Sequence, residues 1–199
     1  MSDAALTERA IDAALALAAE RPWADIALAE IAGAAGSDLA AFDAAGLDAE
    51  ALLARIEVRF DAAMLAGVAG VERSERARDR LFEALMRRFD AMEPNRPAIL
   101  SVRAAQATDP ALALLAMRSR IRTANRALRA AGLDPSGLAG RLRAAGLARV
   151  IGKAEASWRQ DGADLSRTMA TLDQALADAE GAARRINGLF RTRRSADAA

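Results

Sequence analysis

The chain has 199 residues, 53% of them hydrophobic and 28% charged, with a net charge of +1. This is the composition of a folded globular protein, and the length fits one domain or a small domain joined to a larger one. Cysteine, histidine and tyrosine are absent, which excludes disulfides, thiolate chemistry, imidazole bases and the usual zinc sites. No run of about 18 uninterrupted apolar residues occurs, and the N-terminus lacks a basic stretch followed by an apolar one. A soluble cytoplasmic protein is the expectation. Alanine dominates and β-branched residues are scarce, so the chain is biased strongly toward helix.

In chain order, a first helix is expected from about Asp3 to Glu20, with Leu6, Ala10, Ala13, Ala14 and Leu17 at helical spacing and Ile11 and Leu15 widening the stripe. Pro22 stops it, and Trp23 reads as a core plug in the connection. Short helices over 27–34 and 38–44 follow, ended by Gly36 and Gly46. Asp48 caps a fourth helix that reaches about Ala66, while Leu47 staples onto Leu52. Glu75–Met92, a segment from Asn95 to Thr108, and a helix opened by Asp109-Pro110 and running to about Ala131 come next. Ser136 reads as the cap of a helix to Gln160. Asp161-Gly162 separates it from a last helix, Asp164 to about Ile186, with Gly188 arguing against a longer one. The result is an all-α fold of about nine helices with no strand signal.

Charge is distributed unevenly. Residues 1–46 hold eight carboxylates against Arg9 and Arg21, a side-chain charge of −6. Beyond residue 181, Arg184, Arg185, Arg191, Arg193 and Arg194 face only Asp197. Acidic pairs such as Glu83 and Asp90 lie on helices with arginines nearby, the pattern of a solvent face, and no glycine-rich loop carries the lysine of a phosphate site. No catalytic residue, metal or cofactor is assigned, and the chain does not read as an enzyme.

The stretches IDAALALAAERPW (Ile11 to Trp23) and LAEIAGAAG (Leu28 to Gly36), followed by a helix beginning near Asp48, resemble the TetR family of bacterial transcription regulators. RDRLFEALMRRFDAMEPNRPAIL (Arg78 to Leu100), AAGLDPSGLAGRLRAAGLARV (Ala130 to Val150) and DLSRTMATLDQAL (Asp164 to Leu176) resemble a proteobacterial subgroup of it. The resemblance implies a helix-turn-helix DNA-binding head at 1–46 and a helical ligand-binding and dimerisation domain at 47–199. It also implies a homodimer, a duplex DNA partner and a small-molecule effector. Its DNA-contacting positions fall on Ser37, Asp38, Ala41, Phe42, Asp43 and Ala49.

The chemistry at those positions departs from the family pattern. The family's leucine-tyrosine positions become Phe42 and Asp43, its histidine-phenylalanine positions Ala45 and Gly46 and its lysine position Ala49, and SDLAAFDAAG has no cation. Phosphate contacts need Arg, Lys, amide or hydroxyl donors, so this is a degenerate reading surface with Asp38 and Asp43 in it.

The resemblance also implies an effector pocket among Phe82, Leu85, Phe89, Leu115, Ile121, Asn125, Ile151, Glu155 and Trp158, with Gln106 a further polar contact. Each of these is also readable as plain core. Their aliphatic character favours an apolar small molecule. Leu142, Leu147, Val150, Leu165, Met169, Leu172 and Leu176 supply apolar stripes for a four-helix dimer interface, or for the internal core.

A second resemblance, carried by RRFDAMEPNR (Arg87 to Arg96), is to a lipid-binding family of ubiquinone biosynthesis built on the same scaffold. It implies a lipid or isoprenoid ligand and no DNA. The arginine tail, with Ile186, Leu189 and Phe190, reads most simply as a solubilising terminus, a membrane-surface or nucleic-acid-binding segment being the alternative, and this second resemblance takes it as the membrane-surface one. A purely structural dimer is the third alternative.

Overall fold

The structure, a computed structural model, describes residues 3–66 and 76–196, with side chains described as far as Ala183. Among the described residues the chain forms nine α-helices and no strand. They are α1 (Asp3–Glu20), α2 (Leu28–Ala34), α3 (Leu39–Ala44), α4 (Ala49–Ala66), α5 (Ala77–Met92), α6 (Arg96–Thr108), α7 (Pro110–Ala130), α8 (Gly137–Trp158) and α9 (Ser166–Ala196).

The starts and stops follow local chemistry. The Asp38 carboxylate accepts from the Ala41 N–H at 2.8 Å, Asp48 from Ala51 at 2.6 Å and Asp109 from Ala111 at 2.7 Å, each satisfying an orphan donor of a first turn. Gly36 and Gly46 adopt φ of +65° and +61°, the left-handed turn that closes α2 and α3 and admits glycine without strain. Two boundaries differ from the sequence expectation. Ser136 occupies the cap position of α8, but its hydroxyl donates to Asp134 at 2.7 Å and makes no cap bond. The last helix does not stop near Ile186; its backbone continues through Gly188 to Ala196. A single glycine costs about 1 kcal/mol against alanine without forcing a break, and arginine neighbours are good helix formers.

One buried core runs from the N-terminal helices to the C-terminal pair. Helix α1 packs along α6, and its small residues Ala10, Ala14 and Ala18 are fully buried. Trp23, in a 3-10 turn after α1, is buried as a plug. Its backbone N–H donates to Ser101 Oγ of α6 at 2.7 Å, and that hydroxyl donates to the Arg21 carbonyl at 3.1 Å. Beyond this, α4 packs on α5 and α7, α7 on α8, and α8 on α9. Arg78 of α5 ties to Asp173 of α9 at 2.5 Å. No helix among the described residues is long and apolar enough to cross a membrane.

Candidate functional site

The interior between α4 and α8 is charged. Glu57 and Asp61 of α4, Arg88 of α5, Arg103 and Gln106 of α6, Arg120, Thr123 and Arg126 of α7, and Glu155 of α8 form one connected cluster. Arg88 is almost fully buried; it donates through Nε to Asp61 at 3.1 Å and through Nη2 to Glu57, and its Nη1 lies 3.7 Å from Glu155. Arg103 donates to Glu57 at 2.8 Å, to Glu155 at 3.2 Å and to Gln106 at 2.8 Å. Asp61, 1% exposed, accepts from the Thr123 hydroxyl at 2.9 Å and from Arg126 at 2.6 Å. Four arginines meet three carboxylates, so the cluster carries a surplus positive charge.

Charges this deep are tolerated only because each is paired and hydrogen-bonded. Burial works to lower the pKa of Arg103, but the charges of Glu155 and Glu57 outweigh it and raise the group above its ordinary value. Burial pushes the Glu155 carboxyl up. Arg103, Arg120 and Arg88 outweigh that and hold it at about 2, against an ordinary value of 4.5. Glu155 is therefore a fixed anion at the centre of the cluster.

Beside Glu155 lies a cavity of about 160 Å³ between α6, α7 and α8, lined by Arg103, Gln106, Arg120, Glu155, Trp158 and Arg159 among others. Arg120 and Gly152 also line a second, wider groove of about 560 Å³ between α7 and α8, whose walls include Met117, Ile121, Ala145 and Ala148. Trp158 is locked at the end of α8. Its Nε1–H donates to Glu93 at 2.9 Å, and the Arg96 guanidinium stacks 4.4 Å from the ring centroid while bonding Glu93 at 2.8 Å.

At the other end of the molecule, α2 and α3 are joined by the tight turn at Gly36. The solvent side of α3 consists of Asp38, Leu39, Ala40, Asp43 and Ala44. Nearby cations are engaged elsewhere: Arg9 donates to the Ala35 carbonyl at 2.9 Å, and Arg21 pairs with Glu30 at 2.5 Å. The Arg21 hydrogen bond, aided by the Ala27 N–H, lowers the Glu30 pKa. Arg59 of α4 pairs with Glu8 and Asp12 of α1, both at 2.6 Å.

No family model matches the chain, and no curated protein matches it. Among solved structures, the crystal structure of a TetR transcriptional regulator from Rhodococcus sp. RHA1 matches with a TM-score of 0.63 at 18% identity, over 90% of this chain and 97% of that one. The fold is TetR-like.

On this TetR-like fold the expected residues fall as follows. Asp38, Asp43 and Ala49 are exposed, Ser37 and Ala41 half-buried, and Phe42 fully buried under α3. Of the residues expected at a pocket, Gln106, Glu155 and Trp158 line the cavity and Ile121 lines the groove. Leu85, Phe89 and Ile151 are fully buried core, while Phe82, Leu115 and Asn125 are half-buried and line neither space. Of the residues expected at a dimer interface, Leu142 and Met169 face outward. Leu147, Val150, Leu165, Leu172 and Leu176 are buried within the subunit. The side chains of the arginine tail, 184–199, lie outside the described residues. The sequence reading passed over Glu57, Asp61, Arg88 and Arg103. Their signal is register: Arg88 stands between Leu85 and Met92, and Arg103 between Ile99 and Gln106, on faces otherwise directed inward.

Proposed function

We propose that this chain is a ligand-responsive transcriptional regulator of the TetR-like kind. In this reading it is a homodimer whose head, residues 1–46, grips DNA weakly and whose effector enters the space beside Glu155. The observation that carries the reading is the double engagement of α4. Glu57 and Asp61 join the arginine cluster beside the cavity. Arg59, two residues on from Glu57 and so about 200° round the helix, grips Glu8 and Asp12 of α1. A ligand that re-pairs Arg103 draws on Glu57 directly, one that re-pairs Arg120 does so through Glu155 and Arg103, and α4 hands the displacement to α1 and the head. The shift it can produce is bounded by its difference in affinity for the two arrangements.

Outward-facing Leu138, Leu142 and Met169 on α8 and α9 support a second copy packing there. The weakness of the head follows from α3, whose solvent side offers two carboxylates and no cation to a polyanion. The test is binding of the purified protein to a pool of genomic duplex fragments over a range of salt. We expect selective retention of some fragments with a shallow salt dependence, log K falling by roughly 0.9 per phosphate contact for only two or three contacts. Equal affinity for every fragment and for random duplex overturns the reading.

The same acidic α3 surface favours a second reading, a scaffold that has given up DNA and carries a lipid or isoprenoid. Mass spectrometry of the purified protein decides it: bound lipid together with no selective DNA retention supports that reading, and an empty protein contradicts it.

A further inference from the structure

We infer that the cavity and groove flanking Arg120 form one site for an amphipathic organic anion, with the anionic head group at Arg120 and the apolar body lying between α7 and α8. The inference rests on the effector reading above and names the effector's chemistry, which the sequence alone had pointed to only as apolar.

Three observations carry it. Arg120 lines both the cavity and the groove and so stands at their junction. It engages the protein through Nε alone, donating to Glu155 at 2.8 Å. Among the described residues no acceptor meets its two terminal nitrogens, and its side chain is 32% exposed. Guanidinium presents those nitrogens as a planar fork suited to a carboxylate.

Second, the charges that line the two spaces are one-sided. Arg103, Arg120 and Arg159 line the cavity against Glu155 alone, and Arg149 and Lys153 line the groove with no carboxylate. The side chains of Arg149, Lys153 and Arg159 are exposed to solvent. This excess of cations favours an anionic ligand over a cationic or neutral one.

Third, the groove walls between those cations are apolar: Met117 and Ile121 of α7 are exposed to solvent, opposite Ala145 and Ala148 of α8. At about 560 Å³ the groove is in the usual size range for a small-molecule site. Gly152 completes the junction. A Cβ there would reach 3.9 Å from Arg120 Cδ, so the arginine stem lies directly over the glycine and keeps its head group between the two spaces.

The test is titration calorimetry on the full chain, without DNA, using sodium decanoate, sodium octanoate, 1-decanol and decyltrimethylammonium below their aggregation thresholds. Decanoate should bind at least tenfold more tightly than decanol, and decyltrimethylammonium should not bind. Decanoate should exceed octanoate by about twofold to fourfold per added methylene. Arg120→Gln should cost decanoate at least tenfold and leave decanol unchanged. Ala145→Glu, at an exposed position that leaves the core untouched, should also weaken decanoate.

Equal binding of decanoate and decanol overturns the proposal, as does tighter binding of the cation or indifference to Arg120→Gln. So does sedimentation showing that Ala145→Glu splits a dimer while decanoate fails to bind the wild type, because the groove then belongs to a second copy. Decanoate binding that leaves DNA retention unchanged supports the site and sinks the regulator reading, so the two failures are distinguishable.

Discussion

Replacing Glu155 by Gln keeps the shape of the side chain and removes the anion on which Arg103, Arg120 and Arg88 converge. The carboxyl is held at about 2 in the folded chain against an ordinary 4.5. At 1.36 kcal/mol per pKa unit that depression corresponds to about 3 kcal/mol of folding stability at neutral pH. The sign follows from the direction of the shift. A depressed carboxylate contributes fully above its unfolded value and loses the contribution as pH falls toward its folded one, so less than about half remains at pH 3.

Urea unfolding of wild type and Glu155→Gln at pH 7 and pH 3 measures this. Carboxylates outside the cluster are common to both proteins and cancel in the difference. At pH 7 the variant should be less stable by about 3 kcal/mol, which lowers Tm by roughly 6–12 °C in a chain of this size. At pH 3 the gap should shrink to less than about half of that. A gap that is the same at both pH values would show that Glu155 acts through packing, and the electrostatic reasoning would fail.

Three further outcomes follow from local geometry. A Cβ on Gly140 would lie 2.1 Å from the Pro135 carbonyl carbon, whereas one on Gly146 meets nothing within 4 Å. In thermal melts Gly140→Ala should therefore destabilise by several kcal/mol, at the scale of a severe steric defect, and Gly146→Ala should stabilise by about 0.5–1 kcal/mol. Phe42 is fully buried beneath α3, so Phe42→Ala should cost about 3–5 kcal/mol by urea unfolding; a loss under about 1 kcal/mol would mean that α3 is not anchored there. Asp109→Ala removes acceptors for the Ala111 and Leu112 N–H groups and should cost roughly 1 kcal/mol, with the first amides of α7 losing hydrogen-exchange protection.

The helical architecture was legible because its determinants are local. Asp48 and Asp109 announce the caps they make, Pro22 ends α1, Gly36 and Gly46 sit at the turns, and the stripe Leu52, Leu53, Ile56, Phe60 and Met64 is the buried face of α4. Ser136 misled because a serine at a cap position can spend its hydroxyl on a neighbour, here Asp134. Gly188 misled because a helix tolerates one glycine among good helix formers.

The charge cluster was not legible as a cluster. Its members come from five helices, and Arg103 and Glu155 are 52 positions apart, so nothing local announces their meeting. What the sequence does carry is a cation in the register of Leu85, Phe89 and Met92, and a carboxylate, Asp61, beside Phe60. Such residues are easily read as helix surface because arginine and aspartate are rarely buried. The polar chemistry beside the cavity was legible in part: Glu155 and Gln106 were expected there and line it, whereas Leu85, Phe89 and Ile151 turned inward as core and Arg103, Arg120 and Arg159, which the sequence reading passed over, stand at its walls.

Helix α4 is the point on which the functional account turns, and hydrogen–deuterium exchange of the full chain with and without decanoate addresses it directly. Adding decanoate to the wild type should change exchange in α1 to α3 as well as in α6 to α8. In Arg59→Ala the head response should disappear while that of α6 to α8 persists, with only a modest, salt-dependent stability loss from these largely exposed ion pairs. A head response that survives in Arg59→Ala, or that is absent from the wild type when the α6–α8 response is present, contradicts transmission through α4.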